Sequence, residues 1–133
     1  MNDLERIAVT IAPYLPADVS PVDVARDVVD ALHALPTGAE LISAERVRQV
    51  VSEGWTPDHD RAHPVGVLAA AGCSYALVAT SQLYLTDGGI DPTQVPPGPS
   101  WPFDLDAWKP EDPIRNLVKA GALLAAEIDR SRP

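Results

Sequence analysis

Between Glu45 and Pro64 the chain reads ERVRQVVSEGWTPDHDRAHP. Those twenty residues gather an arginine pair, a tryptophan directly after a glycine, and the cluster Asp58-His59-Asp60 with His63 close behind. A tryptophan face stacks on a purine, a contact worth ~1–3 kcal/mol per base. Arg46 and Arg48, joined from further along by Lys109, Arg115 and Lys119, are the cations that could meet phosphates. Arg115 and Lys119 are four residues apart, so on a helix they share one face. Asp58, Asp60 and His63 offer hydrogen bonds to ribose hydroxyls.

Each of these residues also has a plainer reading. Trp55, just past a helix-ending Gly54, equally suits a core plug, and Trp101 and Trp108 equally suit pins for a long loop. Arg46 can bridge to Glu53 or Asp60, His63 can sit at a helix start before Pro64, and Arg115 with Lys119 can form a solvated helix edge. No function is assigned to His33.

Metal and nucleophilic chemistry find less support. His59 and His63 have i, i+4 spacing, but Pro57 and Pro64 bracket a segment that reads as an ordered loop, and a catalytic two-histidine site adds a third ligand and a base on a defined helix. No metal or cofactor is expected. No serine or cysteine lies in a nucleophile elbow or beside a plausible base. A helical nucleotide pyrophosphohydrolase would hold magnesium with closely spaced carboxylates. Glu45 and Glu53 stand eight apart and Glu127 and Asp129 two apart, which matches no same-face pair.

A second stretch, WKPEDPIRNLVKAGALLAAEI from Trp108 to Ile128, joins the first. Together they resemble the ryanodine-receptor repeat domain (the RyR domain), found in calcium-release channels and as small modules in bacteria and phages. The matching residues are Arg46, Glu53-Gly54-Trp55-Thr56, Asp60 and His63-Pro64, then Trp108, Lys109, Arg115 and Leu117. The chain is also similar to uncharacterised phage and bacterial proteins built on an EGWTxxHD segment. The likeness spans about residues 40–130 around a different middle. The chain lacks the glycine–aromatic pair expected after Trp55-Thr56 and carries one unit where the channels carry tandem units. The resemblance implies a nucleotide-binding module whose ligand residues would be Arg46, Trp55, Thr56, Asp60, His63, Trp108, Lys109 and Arg115. It further implies a phage protein with an anti-defence role: sensing or sequestering a host adenine-nucleotide or ADP-ribose-type signal without turnover.

Composition narrows the field. At 133 residues with 46% hydrophobic content the chain can bury a core. Ten Lys and Arg against 19 Asp and Glu give −9, which disfavours a nucleic-acid partner. The single Cys73 excludes an internal disulfide and a cysteine zinc cluster, and its apolar surroundings predict a packed, reduced thiol. The opening MNDLERIAVTIAPYLP lacks a cationic start before an apolar core, so it does not read as a signal peptide, and a cytoplasmic setting is expected. Pro64 to Leu85 runs 22 residues without a formal charge, enough to span a bilayer. Its small and polar residues and the lack of cationic flanks favour a buried central helix and no membrane association.

The elements that must position these groups are helices separated by prolines. A short helix over 3–12 stops at Pro13. Ser20 caps a second, with Pro21 first and Asp23 three residues after the cap; Val22, Ala25, Val29 and Leu32 stripe it, and Asp23, Asp27 and Asp30 wet its edge. Thr37 and Glu40 form a capping-box pattern for a third helix ending near Glu53. Pro64 opens the uncharged helix, which Asp87-Gly88-Gly89 stops. Seven of the 14 prolines fall between Pro92 and Pro113, in a loop of about 23 residues that carries Trp101, Phe103 and Trp108. Asp112 and Pro113 then open a closing helix to Arg130 with a clean apolar face. The reading is an all-α, compact domain of about five helices with a long Pro/Trp-rich loop before the last. Residues 1–36, at −4, form an N-terminal hairpin, an appendage or dimerisation element, and 37–133 the RyR-like domain; homo-oligomers stay open. The expected function is binding of a nucleotide-like small molecule. A protein-interaction module using the Trp-rich loop is the alternative, and the pyrophosphohydrolase the second.

Overall fold

The computed structural model describes residues 1–32, 35–86 and 89–132. His33, and the Asp87-Gly88 stop proposed for the uncharged helix, lie outside the described residues. Six α-helices and no strand occur among the described residues, so the protein is all-α. The chain divides into two compact units, Met1–Thr37 and Gly38–Pro133.

In the first unit α1 (Asp3–Ile11) packs against α2 (Pro21–Leu32). A reciprocal capping box starts α1: the Asn2 side chain accepts from the Glu5 amide at 2.8 Å, and the Glu5 carboxylate accepts from the Asn2 amide at 2.9 Å. Pro13 falls in a 3₁₀ turn, Ala12–Tyr14, that ends the helix. The Ser20 hydroxyl accepts from the Asp23 amide at 3.2 Å, the cap expected from Ser-Pro. Ala8 and Ala25 are buried.

The second unit contains α3 (Gly38–Glu53), α4 (Pro57–Arg61), α5 (Val67–Thr80) and α6 (Pro113–Ser131). Helix α6 is its hub, packing on α5, α3 and α4. Small residues make that possible. A Cβ on Gly72 of α5 would come within 3.2 Å of the Ala120 carbonyl, and one on Gly121 would come within 2.8 Å of Ile42 Cγ1 on α3. Leu68, Ala71 and Tyr75 of α5 meet Ala120, Leu123 and Ala126 of α6 in the core, and Trp101, Phe103 and Trp108 pack against it. The long loop therefore folds back as a covering layer. Two buried amides clamp its end: Asn116 Oδ1 accepts from the Glu111 amide at 2.8 Å, and Asn116 Nδ2 donates to Gln82 Oε1 at 2.9 Å.

Three expectations need correction. The segment after Trp55 is not a loop but a helical turn: Thr56 accepts from the His59 amide, Pro57 takes the first position, and Asp58 and Asp60 fall in the first turn, where the helix dipole favours them. The uncharged helix does not run whole from Pro64. It starts at Val67, after Gly66 at φ +90°, and its last turn, Ser81–Leu85, widens to a π-helix. Finally, Cys73 is exposed, because the packed face of α5 carries Ala71, Ser74, Tyr75 and Val78 instead. The stretch Val67–Leu85 is long and apolar enough to cross a membrane (mean hydropathy 1.2), and 44% of its most apolar 18 residues are buried inside the fold.

Candidate ligand-binding site

Helix α3 supplies one wall. Glu45, Arg48 and Gln49 lie on its inner side at i, i+3 and i+4, and Arg46 sits one residue along. The Glu45 carboxylate, 1% exposed, accepts from Arg48 Nε at 2.8 Å, Arg48 Nη2 at 2.9 Å, Arg115 Nη2 at 2.8 Å and Gln49 Nε2 at 3.1 Å. Burial alone would push this carboxyl up, but hydrogen bonds and charge from Arg48 and Arg115 outweigh it and hold the pKa at about 2. The hydrogen bonds that Arg48 donates to Glu45 raise its guanidinium above the ordinary value.

The network continues across the site. Gln49 Oε1 accepts from Arg46 Nη1 at 3.1 Å, and Arg46 Nη2 donates to Asp60 Oδ2 at 3.0 Å. Asp60 is buried on α4. Gly54 at φ +74° turns the chain out of α3, so that the Trp55 amide reaches back to the Gln49 carbonyl at 3.1 Å. That turn aims Trp55 at the same space.

Between α3, α4, α5, α6 and the long loop lies a cavity of about 380 Å³. Its floor is Leu68, Ala71, Leu123 and Ala126. Its aromatic walls are Trp55, His59, His63, Tyr75, Trp101 and Phe103. The rings form a relay: His59 to His63 at 5.1 Å, His63 to Phe103 at 5.3 Å, Phe103 to Trp101 at 5.5 Å, and Trp101 to Tyr75 at 5.7 Å. Burial pushes the Tyr75 phenol up, and the Lys109 amide that donates to its oxygen partly opposes this.

Of the residues singled out from sequence, Arg46, Trp55, Asp60, His63 and Lys109 line this one cavity, as do Arg48 and Lys119. Four others lie outside the lining. Thr56 is the cap of α4. Trp108 stacks at 4.7 Å on Tyr75 and donates its indole N–H to the Val95 carbonyl at 2.7 Å, which is the loop-pin role. Arg115 is held behind the wall by Glu45 and Glu111, 2.8 and 3.8 Å away. Asp58 is exposed and pairs with Arg61. Trp55 is half-buried, and among the described residues its indole N–H donates to no protein acceptor.

Sequence reasoning passed over Glu45, Gln49, Tyr75, Phe103 and His59 as wall residues. A signal existed for two of them: Gln49 repeats Glu45 at helical spacing, and Tyr75 is the phenol in the middle of the uncharged helix. Among the described residues no three His, Cys, Asp or Glu side chains come together as a metal would need. No protein-family model matches the chain, nor does any curated protein or solved structure.

Proposed function

We propose that residues 38–133 bind a nucleotide-derived small molecule, with its base in the aromatic cavity, and hold it without chemical turnover. The observation that carries this reading is the cavity itself. Its volume falls in the range of small-molecule sites, its floor is apolar, and its walls combine aromatic rings with charged and polar side chains. Among the described residues no other ring stacks on the half-buried Trp55, which suits stacking on a base. Asp60 and His63 stand on the same wall as acceptor and donor for hydroxyl groups. The role we assign to such binding is sensing or sequestering a signal nucleotide.

The protein-interaction alternative needed Trp101 and Trp108 on the surface. Both instead pack on the core, and both indole N–H groups are spent on loop carbonyls, Asp104 and Val95. The observations therefore favour the small molecule.

A thermal-shift panel of ATP, ADP-ribose, cyclic ADP-ribose isomers and cyclic oligonucleotides tests the reading. A true ligand at 100 times its Kd raises stability by ~2.7 kcal/mol. Flat melting curves across every nucleotide would end the proposal.

A further inference from the structure

The charges lining the cavity balance: Arg46, Arg48, Lys109 and Lys119 against Glu45, Glu53, Asp60 and Asp104. Three of the cations are already engaged. Asp60 holds Arg46 at 3.0 Å, Glu45 and Glu53 hold Arg48 at 2.8 and 3.2 Å, and Glu111 holds Lys119 at 2.6 Å. Lys109 differs. Among the described residues no carboxylate lies within 4.0 Å of its ammonium. Its backbone, by contrast, is fixed from both sides: the amide donates to the Tyr75 hydroxyl at 3.2 Å, and the carbonyl accepts from Lys119 Nζ at 2.6 Å. Pro110 follows and restricts Lys109 further. The result is an uncommitted cation on an anchored stem at an aromatic cavity.

We infer that Lys109 is the one anion-reading group of this site, so the ligand presents a single phosphate there: a nucleoside monophosphate rather than a polyphosphate. The inference rests on the nucleotide reading above and narrows it. A second phosphate would have to draw Arg46 from Asp60, Arg48 from Glu45 and Glu53, or Lys119 from Glu111 and from the Lys109 carbonyl it anchors. Asp60 is buried and Arg46 is its one close cation among the described residues, so drawing Arg46 away leaves an unpaired buried charge, which is strongly unfavourable. Glu53, Asp104 and Glu111 would also repel it, on a chain whose formal charge is −9.

Titration calorimetry with adenosine, AMP, ADP and ATP at fixed ionic strength separates the outcomes. The wild type should bind AMP about threefold to tenfold more tightly than adenosine, the worth of one partly exposed charge-assisted contact. ADP and ATP should gain nothing over AMP. Lys109→Gln should bind AMP and adenosine alike. Glu111→Gln, which releases Lys119, should improve ADP relative to AMP. A wild type that prefers ATP over AMP tenfold, or an AMP preference that survives Lys109→Gln, overturns the inference while leaving the nucleotide reading intact. If adenosine, AMP, ADP and ATP all fail to bind, this inference falls, and the nucleotide reading falls with it only where the thermal-shift panel is flat as well.

Discussion

At the scale of single residues, the site separates aromatic groups used for packing from the one left open. Trp101 and Trp108 have neighbouring rings and satisfied indole N–H groups, whereas Trp55 has only the cavity before it. Trp55→Leu keeps apolar character and removes the stacking face. We expect this variant to fold with a small loss of stability and to lose about 1–3 kcal/mol of nucleotide affinity, measured by titration calorimetry. Unchanged affinity would make Trp55 structural. Glu45 supports a second expectation. Its pKa is about 2 when folded against an ordinary 4.5, so the stability it contributes is complete above about pH 5 and lost as pH falls toward 2. Acid should therefore lower the urea midpoint progressively between pH 5 and pH 2. Glu45→Gln should cost on the order of 2 kcal/mol at pH 7, since Arg48 and Arg115 lose their carboxylate but keep some access to solvent, and should flatten that pH dependence. A midpoint equally steep with pH in the variant would refute the assignment.

At the scale of elements, α6 holds the site together because α3 and α5 approach it closely. The contact of α3 with α6 depends on Gly121 having no side chain: an added Cβ would strike Ile42 near the branch of its side chain, not only at the tip. Gly121→Ala should therefore lower stability by about 1–3 kcal/mol despite its better helix propensity, read as a drop in Tm. A raised Tm would mean that Ile42 yields freely. Because α3 carries Glu45, Arg46, Arg48 and Gln49, the same change should also weaken ligand binding.

At the scale of the whole molecule, every residue lining the cavity belongs to the unit Gly38–Pro133. Expressed alone, residues 38–133 should keep a helical circular dichroism spectrum and the nucleotide affinity of the full chain. A fragment that folds but loses affinity would assign part of the site to residues 1–37. The acidic surface adds a salt expectation only for the phosphate: added salt should weaken AMP more than adenosine, since Lys109 is exposed and screened.

The helices were legible because their signals are local. Ser20 and Asp112 cap helices by accepting from the amide three residues on, and Pro13, Pro21 and Pro113 mark boundaries by fixing φ and removing a donor. The α4 turn carried the same signal in Thr56-Pro57, but five residues give too little periodicity to set it apart from a loop. The gathering of Arg46, Trp55, Asp60 and His63 was also readable, since they fall within one short stretch. What each charge and ring finally faces was not. The Arg46–Asp60 bridge is one of the two the sequence offered, but Arg115 meets Glu45 seventy residues away, and Lys119 meets Glu111 and the Lys109 carbonyl. These pairings, the inward turn of Trp108 and the exposure of Cys73 depend on which helix faces meet. Helix period and composition set only the faces available; the close approach of α3 and α5 to α6 through Gly121 and Gly72 decided among them.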